Sequence, residues 1–303
     1  MKQEKKRRFT LLDVMNLSEA DCKKQLAFNR WGDTVSCPYC EHDKCYTTKE
    51  RYKCAKCRKL FSVRVGTPFE DSKIPLKKWF IAMYFVTHHS KPISSHQLAK
   101  DIEVTQRTAW FMLHRIRHTL VDNGLEDKLE GIVECDETYV GGKNRNRHWD
   151  KKVPHSQGRS FKDKTPVFGM LERDGKVRAF KVPNTKKKTL EPIIKKHIKK
   201  GSKVMTDEYR VYSDLHFDYT HKKVHHNRGQ YVVGEAHTNT IEGFWSLFKR
   251  GILGIHHNVS RKHMNLYVNE AEYKYNTREM KGQKKFNKIL KSDKQLSYSK
   301  LTK

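Results

Sequence analysis

Ile241, Phe244, Trp245, Phe248 and Ile252 recur at the i, i+3, i+4, i+7 spacing of a helix with one buried stripe. At roughly 100° per residue, Asn239, Glu242, Ser246 and Lys249 gather on a neighbouring sector of that helix. An acid and an ammonium held on one rigid face suit a metal ion and a phosphate, and equally suit an ordinary solvated edge. The same period predicts a helix capped by Ser18 that runs to Arg30, with Cys22, Leu26 and Phe28 available for packing. It predicts another from Pro75, with Trp79, Phe80, Met83, Tyr84 and Thr87 inward, and a third over Lys187–Lys199, with Leu190, Ile193, Ile194 and Ile198 inward. A helix after Ser260 buries Met264, Tyr267, Val268, Ala271 and Tyr275, while its Glu270 and Glu272 support the fold. Period-two alternation over Gly131–Val140 predicts a strand with Glu134, Asp136 and Thr138 on one face and Val133, Cys135 and Glu137 on the other. Val167–Leu171 and Val177–Val182 flank Asp174-Gly175, a hairpin signal, and Lys203–Asp207 is a short strand ending in an acid. Three strands, a helix, a strand and further helices predict an α/β fold, in which a mixed sheet sets Asp136 and Asp207 on adjacent parallel strands. From Lys281 the chain is lysine-rich and weakly patterned, which predicts a frayed basic tail over residues 281–303.

Ahead of this sheet the pattern gives two smaller modules. Ile93–Val104 and Thr105–Arg117 form two helices around a tight turn, with Leu98, Ala99, Ile102, Val104, Ala109, Leu113 and Ile116 as the packing positions. A plain helical hairpin has this spacing, but the basic second helix favours a helix-turn-helix that exposes Gln106, Arg107 and Arg115 to DNA. Cys37-Pro-Tyr-Cys40 and Cys54-Ala-Lys-Cys57 are paired knuckles with zinc-ribbon spacing, their thiolates converging tetrahedrally on one Zn²⁺. The stretches at Cys45 and Leu60 supply the ribbon's strands. Disulfides are the alternative, which the want of an export signal disfavours. His42 and Cys45 compete as ligands from outside the paired pattern, and Cys22 and Cys135 read as isolated buried thiols. The expected order is therefore a basic arm and short helix over 1–30, a zinc ribbon over 31–66, a helix-turn-helix over 72–122, a catalytic domain over 130–280 and the tail over 281–303.

Charge narrows the partner. The 303 residues carry 63 Lys and Arg against 34 Asp and Glu, a net charge of +29. That surplus points to a polyanion, because neutralising phosphates releases condensed counterions. The arm Lys2, Lys5, Lys6, Arg7 and Arg8 follows a DNA backbone or serves solubility, the basic stretch 143–164 reads as a mobile loop that meets DNA, and His221, His225, His226, Arg228 and His237 read as a phosphate-contacting surface. No apolar run approaches about 20 residues, so a soluble, cytoplasmic, nucleoid-associated protein with no membrane partner is expected.

Asp136, Asp207 and Glu242 are three acids on three elements of one sheet domain, the donor set of two-metal phosphoryl chemistry. Hard oxygens there hold two Mg²⁺ or Mn²⁺ ions about 3.5–4 Å apart, one activating the attacking oxygen and one stabilising the leaving oxygen. At these residues the chain resembles the DDE transposases of bacterial insertion sequences, and more closely the group with an N-terminal zinc ribbon and an ISXO-like catalytic domain. The resemblance covers roughly residues 10–280 and rests on Arg30-Trp31 to Cys40, Thr108–Arg117, Val133–Gly142, Thr206–Tyr209 and Asn239–Trp245. It implies an RNase H-like catalytic core, a divalent-metal site, and cleavage and joining at the element's own terminal inverted repeats. Asp136, Asp207 and Glu242 would be its acids and Lys249 its basic residue, with Arg250 beside it on DNA. Some relatives use Asn in the third role, which brings in Asn239. The resemblance further implies a dimer or larger assembly on paired double-stranded ends. A DNA-binding regulator with a relic catalytic domain, and a metal-dependent nuclease that cannot join strands, are the other readings.

Overall fold

The computed structural model describes residues 9–121, 127–142, 144–154, 156, 160, 162–224 and 237–302. The chain divides into two compact units, one of Met1–Val121 with Glu279–Lys303 and one of Asp122–Arg278. The basic arm, His225, His226 and Arg228 lie outside the described residues, as do parts of 143–164.

In the first unit, Thr10 and Ser18 open helices α1 (Leu11–Met15) and α2 (Glu19–Trp31) with capping boxes to Asp13 and Asp21. The ribbon is a three-stranded antiparallel sheet of β1 (Cys45–Thr47), β2 (Tyr52–Cys54) and β3 (Leu60–Phe61). Its central strand, which runs directly into the second cysteine knuckle at Cys54, adds to the two strands expected at Cys45 and Leu60. Trp31 and Phe61 pack on Tyr52 at centroid distances of 5.4 and 5.6 Å. Glu19 reaches from α2 to accept from the first N–H groups of α3 (Leu76–His88), at 2.9 and 3.1 Å from Leu76 and Lys77. Pro75 gives that helix no side-chain cap, so the carboxylate serves its orphan donors instead. Ser94 and Thr105 cap α4 (Ser95–Asp101) and α5 (Gln106–Thr119), and Glu103 makes the turn between them at φ 51°.

In the second unit, β4 (Ile132–Val140), β5 (Thr165–Glu172), β6 (Val177–Lys181), β7 (Lys203–Thr206) and β8 (Thr220–Lys223) form a mixed sheet in the order β6-β5-β4-β7-β8. β4 runs antiparallel to β5 and parallel to β7, as the element order predicts. β8 is a further edge strand, and it takes His221 out of the expected phosphate-contacting surface: its ring pairs with Thr206 Oγ1 at 2.9 Å. One face buries Val133, Cys135, Phe168 and Met170 against Leu190 and Ile194 of α6 (Lys187–His197). The other buries Val140, Val167 and Leu171 against Ile241, Phe244, Trp245 and Phe248 of α7 (Asn239–Gly251) and Met264 and Val268 of α8 (Met264–Asn276).

α8 also seals the open edge of the sheet. The outward backbone groups of β6 meet its side chains in sequence: Val177 N–H donates to Asn276 Oδ1 at 2.8 Å and receives Nδ2 on its carbonyl at 2.9 Å. Ala179 N–H donates to Glu272 Oε2 and Lys181 N–H to Asn265 Oδ1, each at 3.2 Å. Glu272 thus has the supporting role expected of it, and Glu270 pairs with Lys274 at 2.9 Å in a buried site. An unpaired edge is a template for aggregation. Asn276→Ala is expected to cost about 1–3 kcal/mol in urea unfolding and to increase self-association seen by light scattering.

The tail expectation is corrected. α9 (Gly282–Leu290) is a well-packed helix of the first unit that buries Phe286, Ile289 and Leu290, with Phe286 5.2 Å from Phe80 between ring centroids. Those apolar residues fall at i, i+3, i+4, a stripe hidden by the lysines on the opposite face. α10 (Tyr298–Thr302) follows, with Leu301 buried.

Candidate active site

Asp136 lies in the middle of β4, on the face that α7 covers. Its register partner on β5 is Gly169. The parallel pairing Glu134↔Met205, continued by two residues, sets Asp207 alongside Asp136 just past the end of β7. Glu242 lies in the first turn of α7 and accepts from the Thr238 hydroxyl at 3.0 Å, while Asp207 Oδ1 accepts from Tyr209 N–H at 3.0 Å. Burial pushes the Asp136 carboxyl up to about 7, and Asp207 and Glu242 push it the same way. The Glu137 backbone N–H and the Trp245 indole oppose them. The three expected acids therefore share one electrostatic site, whose crowded negative charge favours bound cations.

A carboxyl pKa raised in the folded state makes that state hold a proton that the unfolded chain releases. Stability conferred by the remaining interactions is eroded as pH rises from 3.8 toward about 7. In metal-free buffer, Asp136→Asn is expected to stabilise the protein at pH 8, by on the order of 3 kcal/mol, and hardly at all at pH 3. Urea midpoints at the two pH values check this.

Lys249 and Arg250 are exposed in the last turn of α7, and Asn239 is exposed at its first residue. On α5, Gln106 and Arg107 are exposed as expected. Gln106 Nε2 donates to Ser95 Oγ at 2.8 Å, and Arg107 Nε donates to Tyr298 Oη at 2.7 Å. Arg115 is not exposed, and its place among the DNA contacts is corrected. It is 7% exposed, donates to the Glu70 carbonyl at 2.9 Å and lies over the Phe111 and Trp79 rings. The register of α5 turns position 115 toward α3, next to buried Met112 and Ile116.

Two site features escaped the sequence reading as functional elements. Glu134 is a fully buried carboxylate, and Gly169 leaves bare backbone opposite Asp136. Their signals were a charge in an otherwise buried strand and a glycine inside an apolar one. His237, expected on a phosphate-contacting surface, instead places Nδ1 3.2 Å from Glu134 Oε1.

The four paired cysteines also converge. Sγ of Cys37 and Cys57 lie 3.7 Å apart, and those of Cys40 and Cys54 3.6 Å apart. A tetrahedral ion with bonds of about 2.3 Å places its sulfurs about 3.8 Å apart, so the cluster fits Zn²⁺. Among the described residues this is the one group of three or more His, Cys, Asp or Glu side chains whose ligand atoms all lie within 4.8 Å of one another. Cys45 stays outside the cluster, with its thiol directed at the His42 carbonyl at 3.8 Å.

A family model described as an ISXO2-like transposase domain matches residues 128–276, and one described as a transposase zinc-ribbon domain matches residues 17–60. The chain is 31% identical over 266 residues to a Halobacterium salinarum protein described as an uncharacterized protein in transposable element ISH50, covering 83% of this chain and 89% of that one. It is 32% identical over 109 residues to an uncharacterized transposase-like protein of Haemophilus influenzae, covering 36% of this chain and 87% of that one. The crystal structure of a pre-cleavage Mos1 transpososome aligns over 93% of this chain and 95% of that one at a TM-score of 0.20 and 11% identity, too low to inform the fold.

Proposed function

Because the chain belongs to the family of transposases in which an ISXO2-like transposase domain follows a transposase zinc ribbon, we propose that it moves an insertion sequence by binding the terminal inverted repeats, cutting at the element ends and joining the freed 3′-OH ends to target DNA. The observation that carries this reading is the parallel β4–β7 register, which sets Asp207 beside Asp136 under the helix that bears Glu242. A central strand with the first acid and a parallel neighbour ending at the second support an RNase H-like catalytic core. The turn between the capped helices α4 and α5 supports a helix-turn-helix, with Gln106 and Arg107 as its DNA contacts.

Asp136, Asp207 and Glu242 would hold two Mg²⁺ ions, or Mn²⁺ in their place, which when bound activate the attacking oxygen and stabilise the leaving one. In cleavage, a water oxygen bonds to phosphorus at the element end, the P–O3′ bond breaks, and the 3′ oxygen leaves with a proton. In joining, that 3′-OH bonds to a target phosphorus and the target's P–O3′ bond breaks, so one phosphodiester replaces another. Lys249 and Arg250, exposed on the same helix as Glu242, contact DNA phosphates. A dimer or larger assembly would hold the two ends together. Among the described residues no helix is long and apolar enough to cross a membrane.

A cellular test uses a selectable marker between the element's repeats, with this protein supplied from a separate plasmid. Marker insertions at new sites, flanked by intact repeats, are expected. Broken donor DNA without insertions would instead identify a nuclease that cannot join strands.

A further inference from the structure

We propose that Glu134 and Gly169 are positioning residues that dock α7 onto the sheet at two points and so set where Glu242 stands relative to Asp136. This rests on the metal-dependent reading of the three acids. Glu134 is 0% exposed, and a carboxylate in that setting persists only when its oxygens are satisfied. Oε1 accepts from Arg173 Nε at 2.7 Å and from Thr240 Oγ1 at 3.0 Å, and Oε2 accepts from Ile241 N–H at 2.9 Å. Arg173 Nη2 in turn donates to the His237 carbonyl at 2.9 Å. Residues 237–241, the approach to α7 and its first turn, are thereby gripped from a strand 107 residues away from Ile241. α7 has no side-chain cap of its own, since the hydroxyl of Thr238 is directed to Glu242. One orphan N–H, that of Ile241, and the positive end of the helix are met by Glu134 instead.

The second point is one turn further along. A Cβ on Gly169 would stand 2.5 and 2.8 Å from Trp245 Cζ2 and Cη2, and 3.3 Å from Ile241 Cδ1. Those two side chains are buried, so neither can swing aside without moving the helix. The indole therefore rests on bare backbone at the residue directly opposite Asp136 in the β4–β5 register. Glu242 sits between the two contacts in sequence, on the exposed side of the turn they hold. A strand position two residues before Asp136 and another across from it both act on one helix, the one bearing the third acid. Outer residues of this kind commonly change metal affinity tenfold or more without touching the ion.

The test measures binding of Mn²⁺ alone to the zinc-loaded full chain, by the loss of the free-ion electron paramagnetic resonance signal, with circular dichroism as the check on folding. Gly169→Ala is expected to raise the Mn²⁺ midpoint about tenfold in folded protein. Trp245→Phe removes the two ring atoms in the way, so Gly169→Ala/Trp245→Phe should return to the midpoint of Trp245→Phe alone. Glu134→Gln should likewise raise the midpoint, and if it fails to fold the glycine series decides. A wild-type midpoint in folded Gly169→Ala, or a double variant as weak as Gly169→Ala, overturns the proposal. Because Mn²⁺ binding is read without DNA, a wild type that binds the ion but never joins strands would sink the transposition reading and leave this one standing.

Discussion

Glu242→Gln is expected to abolish Mg²⁺-dependent cleavage and strand transfer while leaving binding to the element ends intact. The side chains are nearly identical in shape, so the change removes charge and little else. Two divalent ions facing a pair of aspartates gain much from a third anionic oxygen, whereas a neutral amide offers only a dipole. The loss should reach roughly 10⁴-fold or more, the scale seen when one member of a concerted catalytic unit is removed. Asn239, one turn earlier, is exposed at the start of α7 and nearer the positive end of the helix. Asn239→Ala should only slow the reaction, through lost positioning. Single-turnover cleavage of labelled donor DNA separates the two. An active Glu242→Gln together with a dead Asn239→Ala would transfer the third role to Asn239.

Removing two thiolates from the ribbon should be as severe for structure as losing Glu242 is for chemistry. The three ribbon strands have three, three and two residues, and the buried core around the cysteines includes little beyond Phe61. Such a core cannot offset the entropy of ordering the segment. A structural zinc contributes about 10–16 kcal/mol in comparable small domains, so the ion and the fold of the ribbon should come and go together. Elemental analysis is expected to find about one zinc per chain and to find it missing in a Cys54→Ser/Cys57→Ser variant. The variant's ribbon amides, such as Ala55 N–H bonded to the Lys44 carbonyl, should lose hydrogen-exchange protection. Zinc-free wild type with a fully protected ribbon would contradict this.

The helix bearing Glu242, the strand bearing Asp136 and the hairpin around Asp174 were legible because each shows its periodicity within a single element. The paired cysteines were legible because two knuckles constrain each other. Other features depend on elements far apart in sequence. The Glu134 bond to Ile241 and the Asn276 bonds to Val177 span 107 and 99 residues, and periodicity says which face is buried but not what covers it. β8 was hidden because its Thr-His-Lys-Lys sequence is polar on both faces, as an edge strand can be. α9 was hidden because lysines dilute its three apolar anchors. Arg115 shows the converse: its charge on a basic helix predicts exposure, yet its methylene stem and planar head fit among Trp79, Phe111 and the Glu70 carbonyl.

Strand transfer in vitro tests the central claim most directly. Donor DNA carrying the terminal repeat, already cut to expose a labelled 3′-OH, is incubated with purified protein, Mg²⁺ and a target plasmid. Labelled donor covalently joined to the plasmid is expected with wild type, and none with Asp136→Asn, Asp207→Asn or Glu242→Gln. Joined product from all three variants, or plasmid nicking by wild type with no label transferred, would contradict the account.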